Sequence, residues 1–346
     1  MVPTVTRRPG PRAFPLPTAR GPLSERLRDA LLGPPGTPLE LPSDDELAAV
    51  ADPLADDDLQ LALYLSYELH YGEPEGVDPD WEWDPGQLAF RAALERPFEA
   101  AVRALATPPE PVDPERVGFA LQELVAADDG PPLSRRVETH ASAGQLREFM
   151  VHRSAYQLKE ADPHSFAIPR LSGPPKAALL EIQFDEYGEG QANRMHAELF
   201  AKTMAALGLD PAYGAYLERL PAITLATVNL MTLFGLHRRW RGAIAGHLAI
   251  FEMTSSVPNR RYGNALRRLG WGTEVTAFYD EHVTADAVHE SIAAWDLADG
   301  LAAAEPDTAA AIVFGARALL ALEGLWAEHL LSAWRQGRSS LRSQHA

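Results

Sequence analysis

His282, Asp286 and His289 stand at i, i+4 and i+7 in the stretch FYDEHVTADAVHESIAAW. A helix turning about 100° per residue would bring all three within roughly 60° of arc. Two imidazoles and a carboxylate on one stripe form a metal half-site. With 11 His and 48 acidic residues in 346, that spacing arises by accident roughly 0.05 times per chain. The competing reading is a solvated polar stripe on an acidic protein.

A second half-site strengthens the metal reading. Residues 179–208 (LLEIQFDEYGEGQANRMHAELFAKTMAALG) read as another long helical pattern. Leu180, Phe184, Met195, Leu199, Phe200, Met204 and Leu207 supply its apolar positions, with Asp185, Glu186, Glu189 and His196 among them. A third stretch, FMVHRSAYQLKEA, carries Glu160 near its end, just before Asp162-Pro163. Glu160, Glu186, His196, His282, Asp286 and His289 make three carboxylates and three histidines, enough for two metal ions. Imidazole and carboxylate without thiolate suit iron or manganese, and the chain has no Cys.

These residues resemble the haem-oxygenase-like diiron oxidases and oxygenases, a group of iron-containing redox enzymes. The family pattern is a Glu on the first core helix, a Glu and a His on the second, and His-x3-Asp-x2-His on a later one. The surrounding text YQLKEADPHSFAIPRL, DEYGEGQANRMHAELF and FYDEHVTADAVHE is similar too. The resemblance covers about residues 135 to 340. It implies an all-α, haem-oxygenase-like helical bundle, two iron ions and O2 as co-substrate. It also implies a small amino-acid, amine or fatty-acid-like substrate in specialised metabolism, with an external electron donor. The expected allocation has Glu160 as the bridge, His196 and His289 on one ion, and His282 and Asp286 on the other. N-oxygenating members tend to carry an extra carboxylate three residues before the second-helix His. Asn193 stands there, one helical turn before His196, and favours oxidative cleavage or desaturation over N-oxygenation. The alternative is a metal-independent enzyme or binding protein on the same fold, since some relatives lack metal.

Further residues are candidates around the metals. Glu189, Asn193, His247 and Glu252 are expected beside them. Tyr156, Arg260, Arg261 and Tyr262 are expected to bind substrate, with an Arg clamping a carboxylate. Phe184, Met195 and Phe278 are expected to keep water from the site.

Punctuation and periodicity set the elements that must position these groups. Apolar residues recur at three and four, and strand-like alternation is scarce, so the chain reads as all-α. Residues 1–42 are proline-rich and read as a mobile arm, with one short helix from Ser24 as N-cap to Leu32. Residues 43–130 read as an additional N-terminal helical domain, opened by a Ser43–Glu46 capping box. Surplus apolar residues there, including Leu59, Leu63, Tyr64, Tyr67 and Phe98, suggest a homodimer. Residues 135–340 read as the diiron domain, with Pro258 among its breaks. Net charge of −17 argues against nucleic-acid binding. No apolar run approaches the roughly 20 residues of a membrane span. The N-terminus has no apolar signal core, and a cytoplasmic enzyme is the expectation.

Overall fold

A computed structural model describes residues 12–108 and 111–343; for 286 and 287 it describes the backbone alone. The described chain is all-α. The N-terminal half carries α1 (Pro22–Leu31), α2 (Asp44–Ala48), α3 (Asp57–Glu68), α4 (Pro85–Ala106), α5 (Val117–Ala127) and α6 (Leu133–His140). Then come α7 (Ala143–Gln157), α8 (Asp162–Ser165), α9 (Gly173–Glu186), α10 (His196–Ala206) and α11 (Ala222–Leu236). The last are α12 (Arg241–Arg268), α13 (Thr273–Ser291), α14 (Gly300–Ala304) and α15 (Ala309–Arg335). A π-helical segment, Ile292–Asp299, follows α13 directly. The extended pairs Ala13–Phe14 and Glu73–Pro74 form one short parallel bridge.

α12 is the central element. It packs along α13 and α15 and also against α6. Its closest approach to α15 is set by two glycines. A Cβ on Gly246 would lie 1.9 Å from the Ile312 carbonyl oxygen, and one on Gly315 would lie 2.0 Å from that of Ala243. Only hydrogen at both positions lets the two backbones touch. α12 also runs straight through Pro258, which the sequence reading took as a break. Just upstream, Thr254 donates to the Ile250 carbonyl and Ser255 to that of Glu252. Proline removes one helical hydrogen bond, and packing on both sides of α12 outweighs that loss.

Residues 12–42 are packed rather than projecting as an arm. Phe14, Leu23, Leu27 and Leu31 are buried in the core. Ser24 is not the cap of α1: the helix starts after Gly21, and Ser24 donates instead to Asp58. The Ser43–Glu46 capping box forms as read. Apolar side chains from Phe14 to Trp334 belong to one connected core. The N-terminal helices therefore share packing with the bundle across residue 130. Leu59, Leu63, Tyr64, Tyr67 and Phe98 are all buried in this core. These five side chains pack within the chain, whereas Trp83, Leu105 and Phe119 of the same segment are exposed.

The helix spanning 306–335 is long and apolar enough to cross a bilayer by length and composition, contrary to the reading that no run approaches that length. Ile312, Leu319, Trp326 and Leu330 on it are buried in the protein core. In sequence the run is interrupted by Arg317, Glu323 and Glu328.

Candidate metal centre

Two groups of ligand atoms converge inside the bundle. Glu160, Glu186, His196 and His282 form one, and Glu186, Glu252 and His289 form the other. Within each group one ligand atom per residue lies within 4.8 Å of the rest. All six side chains are buried, and Glu186 is common to both groups.

Local backbone geometry brings them together. Glu160 lies just past the end of α7, in a turn that closes on Ala161 in the left-handed region at φ 74°. Glu186 is the last residue of α9 and His196 the first of α10. The sequence between them is not one continuous helix. Gly188, Glu189 and Gly190 all take positive φ, and Met195 is extended at ψ 134°. A Cβ on Gly188 would lie 2.5 Å from the Met195 backbone nitrogen, so the fold-back needs glycine there. The break turns α10 so that His196 Nδ1 comes within 2.9 Å of Glu186 Oε2. Glu252 comes from α12, and His282 and His289 from α13.

Each later histidine is oriented by a second partner. His282 Nδ1 donates to the Phe278 carbonyl at 2.8 Å, leaving Nε2 facing Glu160 Oε1 at 3.6 Å. His289 Nε2 pairs with Asp185 Oδ2 at 3.0 Å, leaving Nδ1 at 3.5 Å from Glu252 Oε2 and 3.9 Å from Glu186 Oε1. The His196 and His282 rings are 4.3 Å apart, with Phe278 packed on both.

The electrostatics favour a cation. Burial raises the pKa of Glu160, Glu186 and Glu252. Burial and then the neighbouring His282 lower His196 to about 4. Burial acts against charge on His289, yet Glu252, Asp185 and Glu186 lift it to about 9. Glu160 Oε2 is buried with no hydrogen-bond partner among the described residues, and His196 Nδ1 and His289 Nδ1 are buried facing carboxylate oxygens. Buried polar atoms gathered at one centre are costly unless a cation, proton or metal, lies between them. Three carboxylates and three imidazoles, without sulfur, fit iron.

The Asp286 side chain lies outside the described residues. Glu252, expected beside the metals, stands among the ligand atoms. Glu189 is outside the cluster, paired with Arg194 at 2.6 Å. Asn193 is exposed, and its carbonyl accepts from Lys202. It precedes the start of α10 rather than standing one helical turn before His196, because the chain is broken at Met195. Asn193 therefore contributes nothing to the environment of the ligand groups. His247 pairs with His164 at 3.1 Å instead of a metal group. Phe184 is 57% exposed and cannot exclude water; Phe278 is buried.

A cavity of about 220 Å³ leads to the cluster, with Glu160 and His282 in its wall. Tyr262 lines this cavity, and Tyr156 lines smaller spaces beside it. Arg260 is exposed, and Arg261 donates to Ser134. The guanidinium in the cavity wall is Arg153, which sequence reasoning missed. Its i, i+4, i+7 relation to Gln157 and Glu160 was the available signal.

Fold and ligand set together fit a helical iron-containing redox enzyme. The chain belongs to the iron-containing redox enzyme family, whose pattern matches residues 147–324. It is similar to a nitrosourea synthase of Streptomyces achromogenes subsp. streptozoticus, 25% identical over 147 residues. That match covers 42% of this chain and 31% of the synthase, so this chain spans under a third of that relative's length. The fold is shared with a CADD-like protein of unknown function from Nostoc punctiforme PCC 73102. The TM-score is 0.50 at 16% identity, over 63% of this chain and 97% of that one. A domain of unknown function with a heme oxygenase-like fold from Shewanella denitrificans OS217 aligns at a TM-score of 0.48 and 13% identity, over 67% and 96%.

Proposed function

We propose that this oxidoreductase holds two iron ions and uses O2 to oxidise a small organic substrate, with an external electron donor. The observation that carries this reading is the pair of buried ligand groups joined at Glu186. Glu160, His196 and His282 would hold one ion, Glu252 and His289 the other, with Glu186 between them. Iron there would supply reduction of O2. The chain's own residues do the rest. Asp185 and the Phe278 carbonyl fix the His289 and His282 rings. Phe278 and Phe200 close the side of the site behind His282. The cavity delivers substrate to the Glu160 and His282 side.

The likeness to a nitrosourea synthase supports N-oxygenation over oxidative cleavage or desaturation. Glu252 adds to this a third buried carboxylate, supplied from α12. The test is iron analysis with Mössbauer spectroscopy of anaerobically loaded protein, followed by O2 consumption. Two irons per chain and rapid O2 uptake are expected. A chain that binds no iron under these conditions would refute the proposal.

A further inference from the structure

The cavity wall holds a charge pair that the metal centre does not use. Arg153 on α7 donates from Nη1 to Glu323 Oε1 at 2.9 Å and from Nη2 to Oε2 at 2.7 Å. Glu323 lies on α15, and both residues line the cavity. The guanidinium sits 4.0 Å from the Trp326 ring centroid, which fixes its plane. The fork engages two of the five guanidinium N–H groups. One turn further along α7, Gln157 Oε1 is buried with no partner among the described residues and also lines the cavity. Arg153, Gln157 and Glu160 thus run at i, i+4 and i+7 from the charge pair to the metal ligands.

We infer that Arg153 and Glu323 anchor the head of a zwitterionic substrate, an α-amino acid, whose side chain extends towards Glu160 and His282. The complementarity is electrostatic. A simple carboxylate brought to Arg153 meets the Glu323 carboxylate beside it. A simple amine brought to Glu323 meets the guanidinium. A ligand carrying ammonium and carboxylate on one carbon pairs with both charges at once and leaves neither uncompensated. Gln157 Oε1 offers an acceptor for a polar N–H along the side chain. Arg153 and Gln157 share α7, and Glu160 is presented by the turn that follows it. The inference deepens the proposed function by naming the substrate class, and it rests on that reading for which end of the cavity is reactive.

Three probes of matched length separate the possibilities: L-norleucine, hexanoate and pentylamine. Calorimetric titration of the full chain, anaerobic, with and without iron, is expected to show norleucine binding at least ten times more tightly than either. Glu323→Gln should remove the preference over hexanoate, and Arg153→Lys should remove that over pentylamine. Equal affinities, no binding of any probe, or a preference that survives in Glu323→Gln would overturn the inference. The pair would then be a tie between α7 and α15. If a variant fails to fold, the wild-type comparison alone decides. Zwitterion preference in a chain that takes up no iron would uphold the anchor and remove the oxidase reading; iron uptake and O2 consumption without the preference would do the reverse.

Discussion

Asp185 Oδ2 lies 3.0 Å from His289 Nε2, so one residue outside the ligand groups sets which imidazole nitrogen faces Glu186 and Glu252. A ligating histidine is commonly held this way by a carboxylate, and losing that partner weakens metal binding 10- to 100-fold. Asp185→Ala should lower affinity at the Glu252–His289 side by about that factor and leave the His196–His282 side filled. Stepwise Fe(II) titration followed by circular dichroism in the visible and near-infrared would resolve the two affinities. Unchanged binding at both sides would show that Asp185 is only a surface partner.

Glu186 is common to both ligand groups, whereas Glu252 belongs to one. Glu186→Ala should therefore abolish binding of at least one iron and weaken the other. Glu252→Ala should cost one iron only. His282→Ala and His289→Ala should each remove at least one iron and end O2 uptake while far-UV helicity is kept. Metal content per folded chain checks all four, and full occupancy in Glu186→Ala would contradict the shared role.

Much of this centre was legible because α13 is regular. His282 and His289 share a helix face, and helical period alone places them together. The fold class followed from the same periodicity. The link from Glu186 to His196 was not legible as helix, because three consecutive positive-φ residues interrupt it. The YGEG text signalled the turn, but the apolar spacing on either side masked it. Glu252 was visible only as a neighbour, since its helix contributes one ligand and no internal motif. Arg153 was legible only through its spacing to Glu160; its partner was not, because Glu323 is 170 residues away.

The Gly246–Gly315 crossing makes a stability prediction. A methyl group at either glycine meets a carbonyl oxygen of the opposite helix at about 2 Å. Backbone cannot yield as a side-chain tip can, so α12 and α15 must separate. Gly246→Ala should destabilise the chain by ~3 kcal/mol or more, at the upper end of overpacking costs. The same separation would shift Glu252 and widen the gap between Arg153 and Glu323. Urea denaturation measures the first effect, and a variant as stable as wild type would mean the helices do not touch there.

His164 and His247 form a buried pair linked through Nε2 and Nδ1 at 3.1 Å. One ring donates and the other accepts, so adding a proton to the acceptor destroys the bond. Burial lowers His164 to about 3 and His247 well below its usual value. The unfolded chain titrates near 6.5. Above about 6.5 neither state is protonated at these sites and their contribution is complete. As pH falls from about 6.5 towards 3, the unfolded chain takes up protons that the folded chain refuses. Stability should then fall by ~1.4 kcal/mol per pH unit for each histidine. A His164→Gln/His247→Gln double variant should flatten the slope of unfolding free energy between pH 6 and pH 4.5. An unchanged slope would assign acid sensitivity to other groups.

Lys159, next to the candidate ligand Glu160, is buried and paired with buried Glu68 on α3. Tyr213 donates to the second Glu68 oxygen at 2.6 Å, and the Lys159 ammonium sits 4.2 Å from the Tyr71 ring centroid. This pair connects the N-terminal helices to the turn that presents Glu160. Removing one partner of a buried pair leaves the other charge uncompensated, at a cost of ~3–5 kcal/mol. Glu68→Gln and Lys159→Met should each destabilise the chain by about that much. The double variant, which leaves no lone charge, should recover most of the loss by the same reasoning. Iron binding separates structural tie from positioning. If the pair holds the 158–161 turn, the double variant should stay folded yet bind iron more weakly at the Glu160 side. Lys159→Arg, which keeps the charge, should bind iron more tightly than Lys159→Met. Normal iron affinity in the stable double variant would confine the pair to holding the N-terminal helices against the bundle.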